Sequence, residues 1–355
     1  MLTPIGWIYG KIIDVRNTLY EKNVFDSRHL GARTISVGNI TTGGTGKTPL
    51  VAYVAEILAA RGETVCILTR GFGRSQPNRR VLVSDRETIL AKAGDAGDEP
   101  LELAQKLIGK AYVISDADRT AAGEWAKRKF DITAFVLDDG FQHRKVLRDL
   151  DIVSIDAMHP FGDRKMLPAG RLREPITNLK RADAIVISRA DLVENIDDLR
   201  SEIATLNKRA PIFVCRNEIS RIRPLNELRA GILGNTFSGE WRSIEQTVKG
   251  RPTKVAAFCA LGNPDSFFET LRRSTGPGTL GTFDVAITQA FRDHRPYSQK
   301  DIDALQRDVV SNGIDAFVTT SKDAVKLQDF KFDIPCFVAD IELKFDDADD
   351  FAELL

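Results

Sequence analysis

Short runs of apolar residues alternate with helical patterns over most of the chain. Seven such runs lie before residue 190: TISVG (34–38), VCILT (65–69), VLVS (81–84), YVIS (112–115), ITAFVLDD (132–139), DIVSID (151–156) and AIVIS (184–188). Their β-branched residues are continuous rather than alternating, which is typical of strands buried on both faces. Helical patterns over 48–61 and 116–129 separate some of the runs. This order predicts an α/β fold with a mostly parallel sheet flanked by helices.

A change of pattern near residue 220 predicts a domain boundary. Residues 216–254 are rich in Arg, Asn, Gly and Glu and carry no sustained apolar run, and a second series of runs starts at VAAFCA (255–260). We therefore expect a core domain over residues 26–220 and a smaller α/β domain over residues 221–355 that closes the active site.

The N-terminal segment, residues 1–25, predicts an amphipathic helix. Five residues recur on one helical stripe, namely Ile5, Ile8, Tyr9, Ile12 and Ile13, while basic residues lie off it. The stripe is suited to a bilayer interface, but it could equally pack on the protein's own domain. The segment lacks both the cleavage site of a signal peptide and the unbroken apolar length of a spanning helix.

Composition narrows the class of protein. The chain has 355 residues, of which 43% are hydrophobic and 28% charged, as is typical of globular proteins. Fifty basic residues balance fifty acidic ones, so the charge gives no reason to expect a nucleic-acid partner. Four scattered cysteines and four scattered histidines predict neither a disulfide framework nor a zinc site. The acidic segment 346–350 is expected to be a solvated tail.

The strongest local motif is GNITTGGTGKTP (38–49), which lies between a predicted buried strand and a helical pattern. In a phosphate loop of this kind the backbone N–H groups curl around phosphate oxygens, a lysine reaches the β- and γ-phosphates, and a hydroxyl binds Mg²⁺. The predicted nucleotide-binding residues are Thr41, Thr42, Gly43, Gly44, Thr45, Gly46, Lys47 and Thr48. One residue departs from the usual pattern, because Thr41 stands where glycine is expected.

A second element of nucleotide chemistry is the strand that ends in Asp138 and Asp139. In P-loop folds such a strand end lies beside the phosphate loop, where a carboxylate binds Mg²⁺ directly or through water. The sequence therefore predicts a magnesium site formed by Thr48, Asp138 and Asp139, without deciding which aspartate contacts the ion. The plainer interpretation is a surface turn before Gly140.

Eight further segments are distinctive enough to indicate one family of proteins. They are TRGFGR (69–74), GDEP (97–100), DADR (116–119), LDDGFQHR (137–144), GRLREP (170–175), FCALGNPDSFF (258–268), AFRDHRPYS (290–298) and TTSKDAVKL (319–327). Together with the phosphate loop, they resemble the tetraacyldisaccharide 4′-kinases of lipid A biosynthesis over nearly the whole chain. The resemblance implies transfer of the ATP γ-phosphoryl group to the 4′-hydroxyl of a tetraacylated glucosamine disaccharide 1-phosphate, with ATP and Mg²⁺ as cofactors.

The resemblance also implies a location and catalytic residues. The reaction would take place at the cytoplasmic face of the bacterial inner membrane, which favours the membrane interpretation of the N-terminal helix. No obligate protein partner is inferred. By resemblance Asp98 is the general base and His294 its partner, whereas Lys47 stabilises the moving phosphoryl group. The plainer alternatives are a helix N-cap for Asp98 and a loop histidine for His294.

The remaining candidates would bind the lipid substrate. Arg119, Arg171 and Arg173 could bind phosphate groups, and Gln142 a sugar hydroxyl. Glu174 belongs to the same GRLREP segment. Surface salt bridges are the alternative for all of these charged residues.

Two other classes of protein share parts of this pattern. A deviant-Walker switch ATPase with a membrane helix is one, but its signature lysine is replaced here by Thr42. A GTP-binding module is the other, because residues 188–191 follow a strand at the place of a base-reading motif. Two of those four residues do not match it.

Overall fold

The computed structural model describes residues 3–227, 244, 247, 251–275 and 283–355. Within them the strands are β1 Arg33–Gly38, β2 Val65–Thr69, β3 Val81–Asp85, β4 Ala111–Ser115, β5 Ala134–Asp138, β6 Leu150–Asp156, β7 Ala184–Ser188, β8 Ile212–Pro224, β9 Thr253–Cys259, β10 Phe283–Ala290, β11 Ala316–Thr320 and β12 Cys336–Phe345. The helices are α1 Thr3–Glu21, α2 Lys47–Ala60, α3 Ala93–Ala96, α4 Asp98–Lys106, α5 Arg119–Lys129, α6 Asp197–Leu206, α7 Pro264–Arg273, α8 Gln299–Asn312, α9 Ser321–Ala324 and α10 Ala348–Leu354.

These strands form one sheet in the order β10-β9-β11-β12-β8-β7-β6-β1-β5-β2-β4-β3. Pairing is parallel except between β12 and β8 and between β3 and β4. The apolar runs in these strands are continuous because helices cover both faces of the sheet. Helices α2 and α4 pack on one face, and α5 packs on the other. The predicted fold class, a mostly parallel sheet flanked by helices, is confirmed.

Strand β1 places the phosphate loop. It lies between β5 and β6, both parallel to it, and Val37 is in register with Asp138. The C-terminal ends of β1 and β5 are therefore adjacent. Ligands of open α/β sheets bind at this edge, so the fold itself brings the phosphate loop and the two predicted aspartates together.

Strand β8 joins the two halves of the sheet. Its first residues pair with β7, and its length from Cys215 to Pro224 pairs with β12. The predicted boundary near residue 220 lies within this strand. The division into two domains stays a prediction, and much of segment 216–254 lies outside the described residues.

The acidic C-terminal segment is not a tail. It forms the start of α10, whose aspartates are exposed while Phe351 is fully buried. The Phe351 ring packs against Tyr53 and Phe213 of the N-terminal half. The acidic residues are solvated as expected, but the expectation of a tail was wrong, because one aromatic residue fixes the end of the chain to the core.

Helix α1 contacts the protein mainly through a different face from the apolar stripe, of which Ile5, Ile8 and Ile12 are exposed and Tyr9 and Ile13 half-buried. Gly6, Gly10, Asn17 and Tyr20 are buried, and a Cβ on Gly6 would lie 2.9 Å from the Met166 carbonyl oxygen. The exposed face carries large apolar side chains: Ile5 at 51%, Trp7 at 66%, Ile8 at 53%, Ile12 at 59% and Val15 at 60%. The described part of the chain has no helix with the length and apolar content that would span a bilayer.

Candidate active site

The phosphate loop has the backbone geometry of an anion site. Gly43 and Gly46 have φ angles of 111° and 76°, values that favour glycine. Gly46 is the N-cap of α2, and no side chain caps this helix. The first-turn N–H groups and the positive end of the helix dipole therefore face the loop, where Lys47 and Thr48 begin the helix.

Four polar side chains hold the phosphate loop in place through hydrogen bonds. Asn39 Nδ2 donates to Thr45 Oγ1 at 2.8 Å, and the hydroxyls of Ser154 and Ser188 donate to the Thr45 carbonyl oxygen at 2.8 and 3.2 Å. Arg189 Nη1 donates to the Gly44 carbonyl oxygen at 2.7 Å. Ser188 and Arg189 belong to the segment that was considered for reading a guanine base. Their side chains bind the phosphate loop instead.

The GRLREP segment lies along the other side of the loop. The Thr42 N–H donates to the Arg171 carbonyl oxygen, and the Arg173 N–H donates to the Ile40 carbonyl oxygen, each at 2.8 Å. Thr41 is buried and forms a bridge with Leu172. A buried β-bridge position does not require glycine, which explains why threonine replaces the first glycine of the usual motif.

Asp139 is held by two cations. Lys47 Nζ lies 3.4 Å from Asp139 Oδ1, and Arg173 Nη1 lies 2.7 and 2.6 Å from its two carboxylate oxygens. Burial alone would raise the pKa of Asp139, but the charges of Lys47 and Arg173 lower it below its usual range. The carboxylate is therefore ionised, and it aligns the lysine of the phosphate loop.

Asp138 is in a different environment. It is buried, and Thr69 Oγ1 donates to its Oδ2 at 2.7 Å. Burial, with the nearby charges of Glu99 and Asp139, raises the pKa of Asp138. With Thr48, the two aspartates provide oxygen donors only, which is the set that Mg²⁺ prefers. The residues therefore fit the predicted ion, whose charge would favour the ionised form of Asp138.

Asp98 and His294 come together from opposite halves of the sheet. Nδ1 of His294 lies 3.1 and 3.0 Å from the two oxygens of Asp98. Burial raises the pKa of Asp98, but the His294 hydrogen bond and the charges of Lys322 and Lys326 outweigh it and lower the pKa to about 2. Burial opposes a charge on His294, yet the bond to Asp98 raises its pKa. Because Gly97 is the N-cap of α4, Asp98 does not hold the capping position.

Two further side chains contact the His294 ring of this pair. The Phe72 ring lies 5.1 Å from the His294 ring, so it packs beside the histidine. Lys322 Nζ lies 3.3 Å from Nε2 of the same ring. Lys322 had no predicted role, although it comes two residues after the buried strand β11, where an ammonium group needs partners.

The predicted substrate residues fall into two groups. Gln142 donates to Glu174 Oε1 and to the Asn39 carbonyl oxygen, each at 2.8 Å, and Arg173 contacts Asp139. Glu174 is fully buried and also accepts bonds from three further side chains, those of Asn17, Asn178 and Arg181. A carboxylate with that many partners is more suited to positioning the segment than to binding substrate.

The two other arginines differ in exposure. Arg119 is buried at the start of α5, where its Nη1 donates to the Ala117 carbonyl oxygen at 3.1 Å while its Nε has no hydrogen-bond partner. Burial lowers its pKa, and the charges of Asp139 and Asp138 oppose that effect. Arg171 is exposed, and its backbone carbonyl oxygen accepts from the Thr42 N–H of the phosphate loop. The substrate roles of these residues stay predictions.

A cavity of about 430 Å³ connects the phosphate loop to the C-terminal half. Its lining includes the loop residues 43–49, Glu99 and Lys322. The segment after β9 closes one side, where a Cβ on Gly262 would lie only 2.6 Å from the Gly44 nitrogen. The two halves of the sheet therefore meet directly over the phosphate loop.

A parallel sheet with a phosphate loop after one strand and aspartates after its neighbour defines a P-loop nucleotide-binding protein. The Asp98–His294 pair is the predicted proton acceptor of a phosphotransferase, and that role stays a prediction. The entire chain, residues 1–355, matches the family described as tetraacyldisaccharide-1-P 4′-kinase. The chain belongs to this family, and the resemblance found in its motifs is thereby confirmed.

Individual relatives agree with the family match. The tetraacyldisaccharide 4′-kinase of Halothermothrix orenii is 36% identical, covering 100% of this chain and 91% of the relative. That of Geobacter metallireducens is 37% identical, covering 92% of this chain and 88% of the relative. A crystal structure of LpxK from Aquifex aeolicus in complex with ATP superposes with a TM-score of 0.73 at 29% identity, covering 99% of this chain and 96% of that one.

Proposed function

We propose that the protein transfers the γ-phosphoryl group of ATP to the 4′-hydroxyl of a tetraacyldisaccharide 1-phosphate, a step of lipid A biosynthesis. The full-length family match carries this proposal. ATP is the phosphoryl donor and Mg²⁺ the accompanying ion, which agrees with the uncapped helix terminus beside Lys47 and the oxygen donors of Thr48, Asp138 and Asp139.

Each part of the proposed phosphoryl transfer is assigned to residues of this chain. Backbone N–H groups of the loop and Lys47 hold the phosphates. Thr48, Asp138 and Asp139 would hold Mg²⁺, which would neutralise phosphate charge when bound. The 4′-oxygen forms a bond to the γ-phosphorus while the bond from that phosphorus to the bridging oxygen of ADP breaks. Asp98 takes the hydroxyl proton, and His294 orients the carboxylate through Nδ1. Because Asp98 is a weak base in the free protein, it acts as the hydroxyl becomes acidic during bond formation.

Two arginines are the candidates for binding phosphate groups of the substrates. The exposed Arg171 and the buried, incompletely paired Arg119 offer guanidinium groups for the 1-phosphate or the nucleotide phosphates. The amide nitrogen of Gln142 donates to Glu174 and to the Asn39 carbonyl oxygen, which leaves its Oε1 as the acceptor for a sugar hydroxyl. We assign Glu174 itself to positioning, because its carboxylate is fully buried.

Helix α1 brings this site to the cytoplasmic face of the inner membrane. A substrate with four acyl chains stays in the bilayer, so the enzyme must reach the headgroup. The exposed apolar face of α1, with Trp7, Ile8 and Ile12, is suited to lying in the interface, while its glycine face packs on the protein. The support is the orientation of the helix, which leaves Ile5, Ile8 and Ile12 of the apolar stripe exposed.

The test is transfer of labelled phosphate from Mg-ATP to tetraacyldisaccharide 1-phosphate in mixed micelles. We expect labelled lipid with the unmodified protein and none with Lys47→Ala. Asp98→Asn is assayed beside a matched control, Asp131→Asn. Asp131 is an exposed carboxylate away from the site, so this control should retain full activity. ATP hydrolysis with no labelled lipid would overturn the proposal and favour a switch ATPase.

A further inference from the structure

Lys322 lies at the meeting point of the two halves of the site. It is on α9 of the C-terminal half and only 9% exposed. Its Nζ lies 3.3 Å from His294 Nε2, 3.3 Å from Asp293 Oδ1 and 3.4 Å from Glu99 Oε1. A buried ammonium group persists only when it is paired, and here one of its partners is the histidine of the predicted catalytic pair.

The chemistry of these neighbours selects one state of the His294 ring. An ammonium group donates hydrogen bonds and cannot accept them, so Nε2 must accept from Lys322. An ionised carboxylate only accepts, so Nδ1 must carry the proton that faces Asp98. Both neighbours therefore require the same neutral tautomer, with hydrogen on Nδ1 and a lone pair on Nε2.

We propose that Lys322 is a positioning residue for phosphoryl transfer: it holds Nε2 of His294 as an acceptor and so directs the Nδ1–H group at Asp98. The proposal rests on the proposed function, in which Asp98 accepts the substrate proton. Lys322 acts through His294, in the way that the third group of a catalytic triad fixes the tautomer of its histidine.

The surrounding charges give the proposal a pH signature. His294 faces Asp98 and Glu99 of α4, Asp293 of its own loop and Lys322 of α9, and Lys326 lies 3.6 Å from Asp98. The carboxylates attract a second proton to the ring and Lys322 repels it. Without the lysine, the imidazolium forms at higher pH, and a carboxylate beside an imidazolium is a poorer proton acceptor.

The kinetic experiment compares Lys322→Met with Lys322→Arg in the lipid phosphorylation assay. We expect Lys322→Met to lower kcat about 10- to 100-fold at pH 7 while the KM for Mg-ATP changes less than about threefold. The acidic limb of the kcat–pH profile should move up by about one unit, with activity recovering at high pH. Lys322→Arg keeps the charge and should keep the wild-type limb. A raised KM with an unmoved limb would overturn the proposal and make Lys322 a nucleotide contact.

A second readout needs no substrate. ¹⁵N-histidine NMR of the full chain, with the His294 signals assigned from His294→Asn, should show hydrogen on Nδ1 and a bare Nε2. In Lys322→Met, the His294 ring should titrate at higher pH than in wild type, while the exposed control Lys300→Met leaves it unchanged. Hydrogen on Nε2 in the neutral wild-type ring would overturn the proposal. If the wild type made no labelled lipid, the proposed function would fail, while this measurement would still decide whether Lys322 fixes the tautomer of His294.

Discussion

Nδ1 of His294 lies 3.0 Å from Oδ2 of Asp98, although the two residues are 196 positions apart in the chain. Asp98 begins helix α4 beside the N-terminal strands, whereas His294 follows β10 at the far edge of the sheet. The pair exists only when the C-terminal strands pack over the phosphate loop. The proposed proton acceptor therefore depends on contacts between the two halves.

Replacing Asp98 tests its role as proton acceptor. Asp98→Asn keeps the size of the side chain but cannot take the substrate proton, so we expect kcat to fall about 10²- to 10⁴-fold with little change in the KM for Mg-ATP. Steady-state kinetics with both substrates measures this split. A loss confined to KM would contradict the assignment and return Asp98 to a structural role at the start of α4.

The same carboxylate should make folding stability depend on pH. The pKa of Asp98 is about 2 in the folded protein, below its ordinary value of about 3.9, so its stabilising contribution is present above the ordinary value and lost as pH falls toward 2. We expect the wild type to lose about 2 kcal/mol more unfolding free energy than Asp98→Asn between pH 6 and pH 2. Urea unfolding at several pH values measures the difference. Parallel curves for the two proteins would contradict the depressed pKa.

Glu174 should be important for stability. Its buried carboxylate accepts bonds from Asn17 of α1, Gln142, Asn178 and Arg181, and it faces the Arg181 charge at 2.8 Å. Glu174→Ala leaves these groups without their acceptor, so we expect a loss of about 3–5 kcal/mol in the free energy of unfolding.

An exposed ion pair provides the control for that prediction. Arg164 and Glu202 form a 2.7 Å pair at the surface, and Glu202→Ala should cost less than about 1 kcal/mol. Denaturant unfolding of both variants gives the comparison. Equal losses would show that burial of Glu174 adds nothing to its contribution.

Gly262 tests the contact between the halves. A Cβ there would lie 2.6 Å from the Gly44 nitrogen, so Gly262→Ala must push the C-terminal half away from the phosphate loop. We expect the KM for Mg-ATP to rise about tenfold or more, because a displacement of that size disturbs a preorganised site. Gly94→Ala is the matched control, since a Cβ on Gly94 meets nothing within 4 Å. An unchanged KM in Gly262→Ala would contradict a closed site over the loop.

The parallel core was predictable from sequence because its strands are buried on both faces and therefore read as continuous apolar runs. The phosphate loop and Asp138 followed from local motifs at the ends of two such strands. The packing role of Phe351 was not predictable, because a single aromatic residue in an acidic segment carries no periodic pattern.

Long-range pairing limits what the sequence alone can show of the site. The Asp98–His294 pair came from the family resemblance, since no local pattern links residues so far apart. Lys322 was missed for the same reason: its partners, His294 and Glu99, lie on other elements. Ser188 and Arg189 were considered as base-reading residues, yet their strand-end position directs them at the phosphate loop.

The exposed face of α1 should determine membrane binding. Ile8 and Ile12 are more than half exposed and lie one helical turn apart, away from the glycine face that packs on Met166. Burying an isoleucine in an apolar environment contributes about 1.5–3 kcal/mol, so replacing both by serine should weaken binding to anionic vesicles at least about tenfold. Vesicle flotation of the purified full chain measures this binding. Leu90→Ser removes a similarly exposed residue outside α1 and should have no effect. Equal binding by the Ile8→Ser, Ile12→Ser protein would show that α1 does not lie in the bilayer interface, and lipid phosphorylation would then need another means of reaching its substrate.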